Sequence, residues 1–125
     1  MTDGFRSAAG APTTKARTAT LRPFGDGEPI TLVVNQPLIL GRGSADPAVG
    51  RLLADFGDVS REHAEVTLGE DGTVKIVDME SACGTFVGGA KLGPGRPRLV
   101  QLPVKIRLGG QCYLNLVGNP AHGEQ

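Results

Sequence analysis

The chain has 125 residues, a length that suits one domain with a single hydrophobic core. Its 13 basic residues balance its 13 acidic residues, so the whole protein has no basic field to hold a nucleic-acid backbone or an anionic membrane. We therefore expect no direct binding to nucleic acid or membrane, and any anion site must be local. No apolar run reaches the length of a membrane helix, and the first residues lack the order of a secretion signal. These features predict an intracellular protein.

The two cysteines, Cys83 and Cys112, are too few and too far apart to form a zinc cluster. Without a secretion signal a structural disulfide is not expected, so we predict reduced thiols. The two histidines do not supply metal-ligand spacing either. We predict no metal and no cofactor.

The first seventeen residues differ in composition from the rest of the chain. They are rich in Ala, Thr, Gly and Ser, with scattered basic residues and no strand or helix periodicity. Such a segment cannot bury enough apolar surface to offset the entropy of ordering, so residues 1–17 are predicted to form a disordered tail. We place the folded domain at residues 18–118 and a short C-terminal tail at 119–125.

Short β-type runs begin at about Thr18 and are separated by turn residues. Apolar and polar residues alternate in these runs, as in half-buried strands, at residues 30–34, 38–40, 64–68, 73–77, 105–108 and 112–116. Turns are predicted at residues 70–72 and at Gly109-Gly110. Another strand at residues 99–102 is flanked by Pro97 and Pro103, and we place it at a sheet edge because proline cannot donate to a ladder.

The longest connection runs from residue 43 to residue 59, and within it only residues 52–56 have the composition of a short strand. No segment shows a good helical pattern. So many short strands in about a hundred residues predict an all-β fold, in which two antiparallel sheets pack face to face. Long loops on such a β-sandwich are where binding residues collect.

Three motifs fall where loops join these strands. They are Leu40-Gly41-Arg42, Val59-Ser60-Arg61-Glu62-His63-Ala64 and Gly84-Thr85-Phe86-Val87. A planar guanidinium donates paired hydrogen bonds to phosphate oxygens, and a serine hydroxyl adds a third. Two arginines and a serine in loops therefore predict binding of a phosphorylated residue rather than catalysis.

The order and spacing of these motifs, together with Asp78 and Ser81, resemble the forkhead-associated (FHA) domain family over roughly residues 20–117. The resemblance implies a twisted antiparallel β-sandwich of about eleven strands (FHA/SMAD-like), whose loops at one end bind phosphothreonine in extended peptides. It thus implies a phosphothreonine-dependent protein–protein interaction module in signalling. The implied partner is a phosphothreonine-containing protein or peptide.

The resemblance also implies roles for individual residues. Arg42 would bind phosphate and orient the peptide backbone, Ser60 would hydrogen-bond a phosphate oxygen, and Arg61 would add a second positive charge. His63 would tie the Gly84-Thr85 loop to the Ser60 loop through its ring nitrogens. The residues implied to support the site structurally are Gly41, His63, Gly84 and Thr85.

Three positions that would contact the peptide depart from the family pattern. The family's Asn before Gly-Thr is Cys83, the preceding Thr or Ser is Ala82, and a second Asn is replaced by Gly88. A thiol is a weak donor and acceptor compared with an amide. Loss of one amide that holds the peptide would cost about 1–3 kcal/mol, or roughly ten- to a hundredfold in affinity. We therefore expect weak or differently specified peptide binding.

Two alternatives stay open beside this interpretation. One is a structural module of the same fold that binds partners without phosphate, favoured by the replaced positions and opposed by the retention of Arg42, Ser60 and Arg61. The other is a hydrolase, because Asp58, Ser60 and His63 are residue types found in catalytic triads. Ser60 lacks the Gly-x-Ser-x-Gly elbow that exposes a nucleophile, so we predict that the protein is not an enzyme.

The tail suggests one further partner. Thr13, Thr14 and Thr18 lie in its basic segment, which a kinase could reach. A phosphorylated tail threonine would then enter the site of another copy, giving self-association.

Overall fold

The polypeptide folds into two antiparallel sheets, in a computed structural model that describes residues 18–25 and 27–119. Six strands form the first sheet: β1 (Thr18–Pro23), β2 (Ile30–Val33), β6 (Thr85–Val87), β7 (Ala90–Lys91), β9 (Val104–Leu108) and β10 (Cys112–Gly118). Their order across this sheet is β2-β1-β10-β9-β6-β7. Four strands form the second: β3 (Leu38–Leu40), β4 (Ala64–Leu68), β5 (Thr73–Asp78) and β8 (Arg98–Gln101), in the order β3-β4-β5-β8. The predicted all-β sandwich is confirmed.

Alternation of burial along the strands builds the core. In β4 the side chains of Ala64, Val66 and Leu68 are buried while those between them are partly exposed, and β10 repeats the pattern. Because successive side chains point to opposite faces of a sheet, each strand gives one apolar row to the space between the sheets. Burying each leucine or valine in this way stabilises the fold by about 1.5–3 kcal/mol.

A helix, α1 (Pro47–Leu53), lies in the long connection between β3 and β4. Asp46 caps its N-terminus, because the Asp46 carboxylate accepts hydrogen bonds from backbone amides of the first turn. Pro47 suits the first helical position, where a backbone N–H donor is not needed. Val49 and Leu53 bury one side of the helix in the core. The expectation that no segment is helical is therefore wrong, as is the short strand proposed for residues 52–56.

Two predicted turns and one predicted edge strand are present in the structure. Turns occur at residues 70–72 and at Gly109-Gly110, and β8 is an edge strand, as the flanking prolines indicate. Thr18 belongs to β1, where it pairs with Val33, so its assignment to the flexible tail segment is wrong. The predicted tail at 1–17, with Thr13 and Thr14, and the last six residues lie outside the described residues, so the domain bounds stay predictions.

Both cysteines are free, Cys83 exposed and Cys112 buried. Burial raises the pKa of the Cys112 thiol to about 12, and the nearby charge of Asp58 adds to the effect. In the described part of the chain no helix has the length and apolar character needed to cross a membrane.

Strand pairing brings several loops to one end of the sandwich. Leu40 pairs with Ala64, and Ala64 pairs with Asp78, so the corresponding ends of β3, β4 and β5 lie side by side. In the other sheet Leu108 lies between Thr85 and Cys112. Hydrogen bonds join the two sets of loops, and we call this region the loop end. It comprises residues 41–46, 57–63, 79–84 and 109–111.

Candidate functional site

The segment after β3 lies directly against the loop that precedes β4. The amide of Arg42 donates to the Ser60 carbonyl at 3.1 Å, and the Gly43 amide donates to the Arg61 carbonyl at 2.9 Å. A Cβ atom on Gly41 would lie 2.0 Å from the Arg61 carbonyl oxygen, closer than any real contact. Glycine is therefore required at position 41 for the two loops to meet.

The guanidinium of Arg42 is held at one atom. Its Nε donates to the carbonyl oxygen of Val59, while the side chain as a whole is exposed. The two terminal Nη groups thus remain able to donate to a ligand, and no carboxylate of the described residues forms an ion pair with them. An arginine fixed through Nε presents its remaining donors in a planar fork, the geometry that matches phosphate oxygens.

Ser60 is also held without using its hydroxyl proton. The Ala82 amide donates to Ser60 Oγ at 3.0 Å, and the Ser60 amide donates to His63 Nδ1 at 2.9 Å. No described residue accepts the Ser60 hydroxyl proton, so that proton is available to a ligand oxygen.

Arg61 lies next to the same segment. A Cβ placed on Gly43 would come within 3.2 Å of Arg61 Cβ and 3.3 Å of Arg61 Cζ, so the arginine side chain runs over the Gly43 backbone. Gly43 adjoins Arg42, and the two cations therefore lie on neighbouring segments. Arg61 is exposed and, among the described residues, has no carboxylate partner.

His63 connects two loops from a fully buried position. Its Nδ1 faces the Ser60 amide, and its Nε2 lies 2.7 Å from the Gly84 carbonyl oxygen. Because an amide can only donate and a carbonyl can only accept, the neutral ring protonated on Nε2 satisfies both contacts. Both nitrogens are thus occupied in holding the loops together.

Asp78 anchors the loop between β5 and β6. Its buried carboxylate accepts hydrogen bonds from the backbone and hydroxyl of Ser81 and from Thr85 Oγ1. The Ser81 hydroxyl oxygen accepts in turn from the Gly84 amide at 2.9 Å. Burial by itself raises the pKa of the Asp78 carboxyl, but the bonds from Ser81 and Thr85 outweigh this and leave the pKa below its ordinary value. The ionised carboxylate is therefore the form that holds the loop.

Asp58 ties a fourth loop to the site. Its carboxylate accepts from the Gly110 amide at 2.6 Å, and the Gly109 amide donates to the Gly84 carbonyl at 2.9 Å. The carboxylate of Asp58 and both ring nitrogens of His63 are thus bonded to backbone groups, and neither residue forms a hydrogen bond with the Ser60 hydroxyl. These three residues do not have the geometry of a catalytic triad.

The structure gathers most of the predicted site residues into one place. Arg42, Ser60 and Arg61 lie on adjoining segments, and the chain continues from Ala82 to the exposed Cys83 beside them. The supporting residues Gly41, His63, Gly84 and Thr85 are buried beneath this surface.

Gly88 lies elsewhere. It occupies the turn between β6 and β7, where its amide donates to the Lys105 carbonyl at 3.0 Å. The length of β6, roughly 10 Å for three residues, separates this turn from Gly84 at the loop end. Gly88 is thus the one predicted peptide-binding position that does not adjoin Ser60.

The sequence did not indicate that Asp58 and Asp78 hold the loops in position through hydrogen bonds. The spacing of Asp78 and Ser81 is a local signal, because aspartate often accepts hydrogen bonds from residues a few positions later. Asp58 offers no such signal, since its partner Gly110 is 52 residues away.

Comparison with known proteins places this architecture in a family. The FHA domain model matches residues 38–109, more than half of the chain. No curated protein shows a significant sequence match. The chain belongs to the FHA domain family, whose members are phosphopeptide-binding interaction modules.

Several solved structures share the fold. An FHA domain solved in an analysis of phosphothreonine-dependent FHA domain interactions is 28% identical, with a TM-score of 0.65 over 82% of this chain and 98% of that chain. The FHA domain of CT664 from Chlamydia trachomatis is 24% identical, with a TM-score of 0.68 and the same coverage of both chains. The N-terminal FHA domain of S. cerevisiae Rad53p, bound to a phosphothreonine peptide, is 21% identical, with a TM-score of 0.67 over 82% and 94% of the two chains.

Proposed function

We propose that this chain is a phosphothreonine-dependent interaction module that binds phosphorylated peptides at the loop end. One observation carries the proposal: the side chains of Arg42 and Ser60 are each held by one protein hydrogen bond, and the remaining donors of these side chains have no partner among the described residues. Donors that are positioned before binding lose little conformational freedom when the ligand arrives. Arg61 adds a second cation on the adjoining segment.

The hydrogen-bond donors of these three side chains are strong enough to account for micromolar binding. A hydrogen bond to a charged group contributes about 1.5–3 kcal/mol, so Arg42, Ser60 and Arg61 together supply most of the roughly 8 kcal/mol that corresponds to micromolar binding. The charge of the phosphate provides most of the discrimination against an unmodified threonine. The FHA domains solved with phosphothreonine peptides support the choice of ligand.

The loop end offers fewer hydrogen-bonding groups to the peptide main chain than to the phosphate. The Ala82 amide is already engaged by Ser60 Oγ, and Cys83 presents a thiol where the family usually has an amide. We therefore expect a low affinity that depends strongly on the phosphate group.

Calorimetry with peptides selected from a phosphothreonine library tests this proposal. Binding is expected to disappear when the peptide is dephosphorylated, and also in Arg42→Ala, with an unchanged circular dichroism spectrum. Arg98→Ala, which removes an exposed arginine from β8, is the matched control and should bind normally. The phosphate proposal fails if dephosphorylation and Arg42→Ala both leave the affinity unchanged.

That failure would favour the second candidate, an FHA-fold module that binds partners without phosphate. Its supporting observation is that Ala82 and Cys83 are exposed at the loop end and offer a methyl group and a thiol rather than hydroxyl and amide groups. In that case Ala82→Asp or Cys83→Asp should weaken partner binding, whereas Arg42→Ala should not.

We also propose that the module is not an enzyme and that it acts inside the cell. The first proposal is supported by the backbone contacts that occupy Asp58 and His63. The second is supported by the two free cysteines, since free thiols are typical of reducing compartments.

Self-association through a phosphorylated tail is a further proposal, and the position of β1 makes it intermolecular. Thr18 lies at the end of the sandwich opposite the loop end, about 23 Å away along the seven residues of β10. Thr14 is four residues before Thr18 and can reach about 14 Å at most. Light scattering should therefore show oligomers after phosphorylation of Thr13 or Thr14, and a monomer after verified phosphorylation would contradict the idea.

A further inference from the structure

The six-stranded sheet has an uneven distribution of charge. Its strands contain four charged residues, Arg22, Lys91, Lys105 and Arg107, and all four are basic. The strands of the four-stranded sheet instead carry two acidic and two basic residues, Glu65, Asp78, Lys75 and Arg98. The net charge of zero for the whole chain therefore conceals a sheet that is entirely basic.

The basic residues share the outer face of this sheet with aromatic rings. Arg107 on β9 is the direct partner of Phe86 on β6 and of Tyr113 on β10. Phe24, which follows β1, donates its amide to the Tyr113 carbonyl at 3.1 Å and so extends this row. Phe24 is 53% exposed and Tyr113 is 48% exposed. We call Phe24, Phe86, Lys91, Lys105, Arg107 and Tyr113 the aromatic–basic face.

Aromatic rings, rather than carboxylates, lie against Lys105 and Arg107. The guanidinium carbon of Arg107 lies 3.9 Å from the centre of the Phe86 ring, and Lys105 Nζ lies 5.8 Å from the centre of the Phe24 ring. No carboxylate of the described residues pairs with any cation of the face. The rings, together with a hydrogen bond from Arg107 Nη1 to the Gly109 carbonyl at 2.7 Å, position these two charges without neutralising them, so the charges remain available to an anionic partner.

A cavity of about 190 Å³ opens within this face. Phe86 and Tyr113 supply apolar walls, and Lys105 and Arg107 stand beside them. The space suits one apolar side chain with negative groups on either side of it.

We propose that the aromatic–basic face is a second docking surface, and that its occupant is an extended acidic protein segment with one aromatic or aliphatic side chain for the cavity. Carboxylates of the segment pair with Lys91, Lys105 and Arg107. From β6 to β1 the row crosses three strand spacings, about 14 Å, which four or five extended residues span. This surface acts without phosphate, and its test is independent of Arg42.

Three observations favour a protein segment of this kind over other occupants. Nucleic acid needs many phosphate contacts at physiological salt, and the face has three cations. Flat base stacking also suits it poorly, because Arg107 covers Phe86 and the rings of Phe24 and Tyr113 are tilted by 46°. Residues 1–17 carry three basic residues against one acidic residue, so the chain's own N-terminal segment would be repelled.

The test is an amide chemical-shift titration of the ¹⁵N-labelled full chain with a synthetic octapeptide of Asp and Glu around one central Phe. Saturable shifts are expected on β6, β9 and β10 rather than at Arg42, and the affinity should fall as salt rises. Lys91→Glu/Lys105→Glu should weaken binding by at least about fivefold, because both residues are exposed and the charges reverse. Lys75→Glu/Arg98→Glu, the same change on the four-stranded sheet, should leave binding intact.

Other outcomes would overturn the proposal. Shifts confined to the loop end would mean that the peptide binds only the phosphate site. Tighter binding of the single-stranded octanucleotide dT8 would identify a nucleic-acid surface instead. Concentration-dependent shifts of the same residues without peptide would show that a second copy covers the face.

Discussion

Replacing Asp78 by asparagine tests whether the loop end depends on a buried carboxylate. Oδ1 accepts from the Ser81 and Thr85 hydroxyls and Oδ2 accepts from the Ser81 amide. Asparagine keeps one acceptor, but its NH₂ group would face the Ser81 amide, so one bond to a charged group is lost and two become neutral. A hydrogen bond to a charged group contributes about 1.5–3 kcal/mol and a neutral one about 1 kcal/mol. Part of this loss is offset, because burying an asparagine costs less desolvation energy than burying a carboxylate. We therefore expect the free energy of unfolding to fall by about 2–3 kcal/mol.

The same carboxylate predicts an acid dependence. Its pKa in the folded protein lies below the ordinary value, so ionisation favours the folded state. This contribution is complete above the unfolded-state pKa of about 3.9 and is lost as the pH falls through the lower folded-state pKa. The stability difference between the wild type and Asp78→Asn should thus be constant near neutral pH and shrink below about pH 4.

Thermal unfolding at a series of pH values measures both effects. A loss of about 2–3 kcal/mol corresponds to a Tm lower by roughly 10–20 °C for a domain of about a hundred residues. Asp55→Asn, a change to an exposed aspartate, is the control and should alter stability by less than about 0.5 kcal/mol. Equal Tm values for the two variants at neutral pH would refute the argument that Asp78 anchors the loop.

Two other substitutions test the loop end. Cys83→Asn should raise affinity for a phosphopeptide by up to about tenfold, or about 1.4 kcal/mol, measured by calorimetry, and only when Arg42 is present; no gain would mean that this loop does not contact the peptide main chain. Gly41→Ala should reduce stability in urea unfolding by more than about 2 kcal/mol, because its Cβ would lie 2.0 Å from the Arg61 carbonyl oxygen. Gly57→Ala, whose Cβ would meet nothing within 4 Å, is its control, and equal effects of the two alanines would contradict the steric argument.

Local patterns were enough to predict much of the fold. The period-two alternation at residues 112–116 identified β10, since a strand between a core and solvent must alternate. β7 was not predicted, because a strand of two residues is too short to show an alternating pattern. The seven-residue helix α1 was missed, although Asp46 followed by Pro47 is a recognised signal for a helix start.

The residues of the site also differ in how far local sequence patterns predict them. Arg42 and Ser60 stand in short motifs that can be read directly, whereas the bond from Asp58 to Gly110 depends on how distant segments pack. The aromatic–basic face could not be predicted from the sequence for a similar reason. Whether Lys105 and Arg107 share a face with Tyr113 follows from strand register, and a balanced net charge says nothing about register.

The pairing of β1 with β10 has a mechanical consequence. The Asn119 amide donates to the Thr18 carbonyl at 3.1 Å, so the two ends of the described domain lie side by side, far from the loop end. Tension applied through both ends would pull two antiparallel neighbours apart from the same end and break their hydrogen bonds one after another. Strands loaded in this way yield at lower force than strands that must shear all their bonds at once. The domain therefore has little resistance to pulling in this direction, and a load carried through its ends would open β1 before it reached the loop end.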